Sequence, residues 1–301
     1  MTSPQSSQKR ATLFGLATVL CWSTVATAFK MSLVYLTPSQ LIFIATIVSA
    51  LFLCLVLSMQ GRLSELWSQK AQVYRQSFFF GLLNPTLYYL LLFWAYDLLP
   101  AQEAQAINFS WAIVMTFMAV PLLKQRLHWY DFLAAIFCYL GVCLIATRGD
   151  LLSFEFDSSF GVFLALMSTL VWSLYWILNR NDKREPVLGL CLNFLCALPV
   201  IVIFNLINGT LTFNGVPLQG LLGGVYVGLF EMGLAFLLWL SAMKKAENTA
   251  RLANLVFITP FLSLFFISTF LGETILPSTF LGLSCIILGL VAQQWFSPKS
   301  T

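Results

Sequence analysis

The residues able to do chemistry in this chain are few, and each stands alone in an apolar stretch. Glu231 lies in the middle of VYVGLFEMGLAFLLWL, with no charged residue within ten positions on either side. An ionisable group in such a setting costs a few kcal/mol unless it is paired or faces a cavity. It is therefore either a protonated carboxyl bonded to a neighbouring helix, or a partner for a substrate amine or a coupled proton. Glu103 lies near the end of another apolar stretch, where a gate competes with simple interfacial exposure. Asn108 and Asn254 offer amide donors and acceptors without net charge, which suits a polar or zwitterionic ligand; a bond between helices is the alternative. Asn84 precedes Pro85 in LLNPTLYYLLLFW. It either supports the carbonyl that the proline frees or points into a cavity with Tyr88. Trp111, Trp172, Tyr175 and Trp239 sit deep in their stretches, as does Trp22, and flat aromatic walls would stack on planar or cationic ligands. Trp67, Tyr74, Trp129 and Trp295 fall where interfacial anchors belong.

The elements that must position these groups are membrane helices. Of the residues, 59% are hydrophobic and 9% charged. Ten apolar stretches, each about 20 residues long, match the thickness of a bilayer core. The spans are expected at 11–30, 38–59, 76–96, 100–122, 129–147, 160–179, 187–208, 218–242, 249–271 and 277–296. The alternation of period two that marks a membrane barrel is absent, so the fold class is an all-α integral membrane protein. The first span is too long for the apolar core of a signal peptide and is kept as a helix.

Basic residues set the orientation. With the N-terminus cytoplasmic, all Lys and Arg except Lys30 and Arg148 fall on the inner side, which places both termini in the cytoplasm. The excess of basic over acidic residues is then a signal of topology and does not mark a nucleic-acid surface. The seven cysteines lie within spans, with no CxxC and no histidine nearby, so neither disulfides nor a metal site are expected. His128, the single histidine, sits in a cytoplasmic turn beside Trp129.

The chain also repeats itself. Phe14–Lys30 (FGLATVLCWSTVATAFK) written over Leu164–Arg180 (LALMSTLVWSLYWILNR) places Trp22-Ser23 on Trp172-Ser173 and Lys30 on Arg180. Ala95–Val114 over Ser241–Pro260 then places Asn108 on Asn254, and further on Gln125 meets Glu273 and Gly141 meets Gly289. A repeat with an odd number of spans must be inverted relative to its partner. The expected layout is a cytoplasmic tail 1–10, a first five-helix repeat 11–147, an external loop 148–159, a second repeat 160–296 and a tail 297–301.

Several segments carry a resemblance: Lys9 to Leu13 leading into Leu20-Cys21-Trp22-Ser23-Thr24, Ala104–Trp111 (AQAINFSW), and Pro260–Glu273 followed by Gly282 and Gly289. Over essentially its whole length the chain resembles the ten-helix EamA-type carriers of the drug/metabolite transporter superfamily. The opening segment and the Glu103–Trp111 stretch are most similar to YddG-type exporters of aromatic amino acids. The resemblance implies a bacterial inner-membrane carrier that works by alternating access, with Asn108 and Asn254 on helices lining the pathway. Its partners would be a small amphipathic substrate and the lipid bilayer, with no cofactor and no nucleic acid.

Other classes lack their marks. An intramembrane enzyme needs convergent catalytic groups at mid-depth, and no histidine lies in a span. A channel would show a pore loop or a gating-charge helix. No GxxxxGK[ST] is present to drive transport by nucleotide hydrolysis.

Overall fold

The computed structural model describes residues 4–124, 126–151, 158–245 and 255–296. Among the described residues there is no strand, and nine helices are long and apolar enough to cross a membrane. These are α1 (Pro4–Leu33), α2 (Pro38–Met59), α3 (Ala71–Leu98), α4 (Ala101–Leu123), α5 (Trp129–Ala146), α6 (Ser159–Asn179), α7 (Pro186–Ile207), α8 (Leu218–Met243) and α10 (Pro277–Phe296). A shorter apolar helix, α9 (Thr259–Leu271), occupies the described part of the ninth expected span. The first residues of that span, 249–254 with Asn254 among them, lie outside the described residues.

Local chemistry sets several boundaries. Thr37 and Gln40 form a reciprocal capping box, and Pro38 needs no helical donor at the first position of α2. Ser158 and Glu185 cap α6 and α7 by accepting from the backbone N–H of Gly161 and Leu188. At the end of α2, Gly61 takes a left-handed φ of +68°, and the Arg62 N–H reaches back to the Leu57 carbonyl at 2.9 Å. α5 closes the same way without a glycine. Arg148 itself takes φ +53°, and the Gly149 N–H bonds the Leu144 carbonyl at 2.9 Å.

The chain forms two compact units, each drawing on two separate stretches of the sequence. The first comprises Met1–Phe93 and Lys183–Leu271, the second Trp94–Asp182 and Gly272–Thr301. In the first unit α1 packs on α8 and α9, while α2 packs on α7 and α8, and the start of α3 packs on α7. Gly220, Gly224 and Gly228 of α8 face Tyr35, Ile44 and Ala45, so this small-residue stripe serves the unit's own packing. A Cβ on Gly228 would meet the Ala45 carbonyl oxygen at 2.5 Å.

In the second unit α5 packs along α10, and α4 packs on α6. α5 and α10 cross where two glycines meet. A Cβ on Gly282 would stand 2.5 Å from the Gly141 carbonyl oxygen, and a Cβ on Gly141 would strike the Gly282 carbonyl oxygen. Only a pair without side chains permits that approach.

Candidate functional site

In the first unit the helices are broken where the polar residues sit. α3 passes through a π-helical segment, Leu82–Leu87, in which Asn84 leaves helical geometry (φ −140°, ψ 114°). Pro85 cannot donate to the ladder and crowds the preceding turn. The helix is kinked at this proline. α8 is π-helical over Val227–Ala235, and α9 over Ile267–Leu271. All the π segments among the described residues belong to this unit. Extra-residue turns of this kind loosen the backbone ladder and are frequent at functional sites. Other prolines behave differently: Pro199 lies inside an unbroken α7, and Pro260 opens α9, where its missing donor costs nothing.

Glu231 lies within the α8 π segment. The Tyr89 hydroxyl donates to its Oε1 at 3.0 Å, whereas the buried Oε2 has no hydrogen-bond partner among the described residues. Tyr89 is fully buried and held by aromatic neighbours, with ring centroids 4.8 Å from Tyr88, 5.5 Å from Phe93 and 6.5 Å from Phe29. Asn84 is also fully buried, and both atoms of its amide lack partners among the described residues. It does not cap the carbonyl that Pro85 frees. Leaving such a group unbonded costs about 1–3 kcal/mol, a penalty that a ligand or water would remove. Elsewhere in this unit Trp239 packs against Trp22 at 5.5 Å, and the hydroxyls of Thr24 and Tyr226 share a 2.7 Å hydrogen bond.

The second unit holds Asn108, Trp111, Trp172, Tyr175 and Glu103. α4 breaks at Phe109-Ser110, between its helical segments Ala101–Asn108 and Trp111–Leu123. The Asn108 Nδ2 donates to Ser168 Oγ of α6 at 3.0 Å, and the Ser173 hydroxyl donates to the Trp111 carbonyl at 2.9 Å. Trp172 and Tyr175 are buried, with their rings stacked 5.8 Å apart. Glu103 is 1% exposed, which excludes simple interfacial exposure, and it accepts from Arg148 Nε at 2.9 Å. The left-handed backbone at Arg148 thus carries the guanidinium that neutralises this buried carboxylate.

Sequence reasoning did not find two neighbouring residues. Glu273 accepts from the Ala101 and Gln102 N–H groups at 2.9 and 3.3 Å, placing a carboxylate at the positive end of the α4 dipole. The Gln102 side chain donates to the Thr274 carbonyl, and accepts from the Leu276 N–H and the Thr279 hydroxyl. The capping partner lies about 170 residues away in sequence, beyond any local pattern. Among the described residues no group of three His, Cys, Asp or Glu could hold a metal ion.

Helices of this length and hydropathy, with buried polar groups placed at breaks in the backbone, define a multi-pass membrane protein. The EamA-like transporter family model matches the chain twice, over residues 9–147 and 159–292, and the protein belongs to that family. An uncharacterized transporter of Clostridium kluyveri is 25% identical over 227 residues, 73% of this chain and 72% of the relative. The uncharacterized transporter YvbV of Bacillus subtilis is 25% identical over 296 residues, 95% of this chain and 92% of its own length. A solved crystal structure with 21% sequence identity matches 96% of this chain and all of its own, with a TM-score of 0.68, and shares the fold. The protein is thus a family transporter in a lipid bilayer, with a small molecule as its cargo.

Proposed function

We propose that this transporter is a secondary carrier exporting small amphipathic metabolites, aromatic and other hydrophobic amino acids among them, by alternating access. The observation that carries the reading is Glu231. One carboxylate oxygen is held by Tyr89, the other is buried without a partner among the described residues, and the helix around it is π-helical. A carboxylate anchored on one side and open on the other suits an ammonium group or an exchanging proton. The unpartnered Asn84 amide and the aromatic rings of Tyr88 and Tyr89 supply neutral hydrogen-bonding and apolar surface in the same unit. Asn108, Trp111, Trp172, Tyr175, Trp239 and Asn254 complete the set of substrate-contacting groups in this proposal, with Glu103 as a gate.

The architecture proposed with it is ten helices in two inverted repeats, both termini cytoplasmic, in a bacterial inner membrane. Two successive matches to one family model support the duplication. So does a hydrogen-bond correspondence. Ser23 of the first Trp-Ser pair reaches the Thr259 carbonyl of α9 at 3.4 Å, and Ser173 of the second pair reaches the Trp111 carbonyl of α4. Each serine lies in the first helix of one repeat and bonds the fourth helix of the other.

The test is counterflow in proteoliposomes, scanning radiolabelled amino acids and organic cations, with Glu231→Gln and Asn108→Ala beside wild type. Saturable exchange of tryptophan or phenylalanine that falls at least tenfold in both variants supports the reading. Silence across the amino acids, with exchange of another metabolite, would replace the substrate class and keep the carrier.

A further inference from the structure

One cavity is lined wholly by residues of the second unit. The ends of α4, α5, α6 and α10 line an open cavity of about 570 Å³. Its apolar lining includes Met115, Ala119, Val120, Leu123, Ile177 and Trp176. Arg126 and Arg180 line the same space, and neither guanidinium has a hydrogen-bond or ion-pair partner among the described residues.

The acid in the cavity does not neutralise them. Asp131 is 5% exposed, and both of its oxygens are engaged: Oδ2 accepts from the His128 N–H at 2.8 Å, and Oδ1 accepts from Gln293 Nε2 at 2.8 Å. Gln293 also donates to Thr116 Oγ1 at 3.0 Å, which ties α4, α5 and α10 into a fixed floor. The His128 imidazole stacks flat on Tyr130 with centroids 5.0 Å apart, and its Nδ1 faces Asp131 at 3.8 Å. The cavity is therefore lined both by two arginines and by an apolar set of side chains.

We infer that this cavity binds an amphipathic oxyanion, its phosphate or carboxylate head held between Arg126 and Arg180 and its apolar body along Met115, Ala119 and Ile177. Guanidinium groups favour this chemistry because their planar donors pair two at a time with oxyanions. The volume lies in the range of small-molecule pockets, and basic pockets at membrane helix ends take anionic lipid head groups by the same contacts. A soluble amphiphile and a phospholipid present the same head, so the experiment separates them.

Full-length protein in neutral detergent is titrated calorimetrically with hexyl phosphate. The comparison set is wild type, the Arg126→Ala/Arg180→Ala pair, and a Lys70→Ala/Arg75→Ala pair that removes equal charge from the other unit. Saturable binding by wild type, weakened tenfold or more by the arginine pair and unchanged by the lysine-arginine pair, is the expected result. No saturable binding by wild type, or equal weakening by both pairs, overturns the proposal. Should the arginine pair fail to fold, Arg126→Lys/Arg180→Lys provides the readout: weakening of a few-fold supports bidentate recognition, and unchanged binding overturns it. Repeating the titration with dioleoylphosphatidylglycerol or dioleoylphosphatidylcholine in the micelles assigns the source. Competition by phosphatidylglycerol alone identifies a lipid head group, whereas undisturbed hexyl phosphate binding identifies a soluble amphiphile.

Discussion

Tyr89 and Glu231 are joined by one 3.0 Å hydrogen bond that binds only half of the carboxylate. The tyrosine is locked by its aromatic neighbours, so the hydroxyl is a fixed donor and Oε1 a fixed acceptor. The direction in which Oε2 points is thereby set before any ligand arrives. Tyr89→Phe keeps the ring packing and deletes that control. We expect KM for a transported amine to rise several-fold, with thermal stability within about 1 kcal/mol of wild type. Initial-rate counterflow and a melting curve in detergent check both halves.

If Glu231 exchanges a proton during transport, its amide counterpart uncouples exchange from pH. Glu231→Gln is expected to leave a flat exchange rate across pH 5.5–8.5 where wild type varies, provided residual exchange remains measurable. A wild-type rate that is itself flat would retire coupling and leave the amine role.

At the α5–α10 crossing, Gly141→Ala drives a methyl group into the Gly282 carbonyl oxygen, and the obstacle is backbone with little room to yield. Overpacking of this kind costs about 1–3 kcal/mol. A lowered melting temperature is expected, with a smaller drop for Gly289→Ala, where the nearest atom is 3.0 Å away.

Glu273→Ala removes the acceptor for two N–H groups at the start of α4. The expected loss is about 1 kcal/mol, the usual worth of a helix cap. Glu273→Gln should recover part of it, since an amide oxygen still accepts. Hydrogen exchange at Ala101 and Gln102 reports the fraying directly.

Outside the membrane, Arg62 grips Glu65 with two bonds of 2.8 Å and holds that carboxyl below its ordinary range. A carboxyl lowered by folding stabilises the fold above its unfolded pKa, and that contribution is lost as pH falls through its folded value. The stability difference between wild type and Arg62→Ala is therefore expected at neutral pH and should shrink on acidification toward pH 3. The groups are partly open to solvent, so the difference is small and weakens with salt.

Much of the fold was legible because bilayer thickness and hydropathy are local properties. The second span was expected at 38–59 and is Pro38–Met59, and the kink at Pro85 follows from a missing N–H. The break of α4 at Phe109-Ser110 was not legible, because no proline or glycine marks it and Ser173 supports it from another helix. The π-helical turn around Glu231 escaped for a similar reason: an extra residue in a helix leaves the apolar pattern nearly intact. Individual polar residues stand out in an apolar sequence, but their partners do not. Asn108 meets Ser168, and Glu103 meets Arg148, through contacts that only tertiary packing creates.

The division of the sequence between the two units bears on how the protein is made. α5 is synthesised well before its long packing partner, α10, and α1 likewise waits for α8 and α9. The glycine face of α5 therefore enters the membrane before its mate is made and must be sheltered by lipid or by the insertion machinery until α10 follows. Neither half of the gene can encode a finished body, and a protein truncated before Gly282 would leave that face open for wrong helices to occupy.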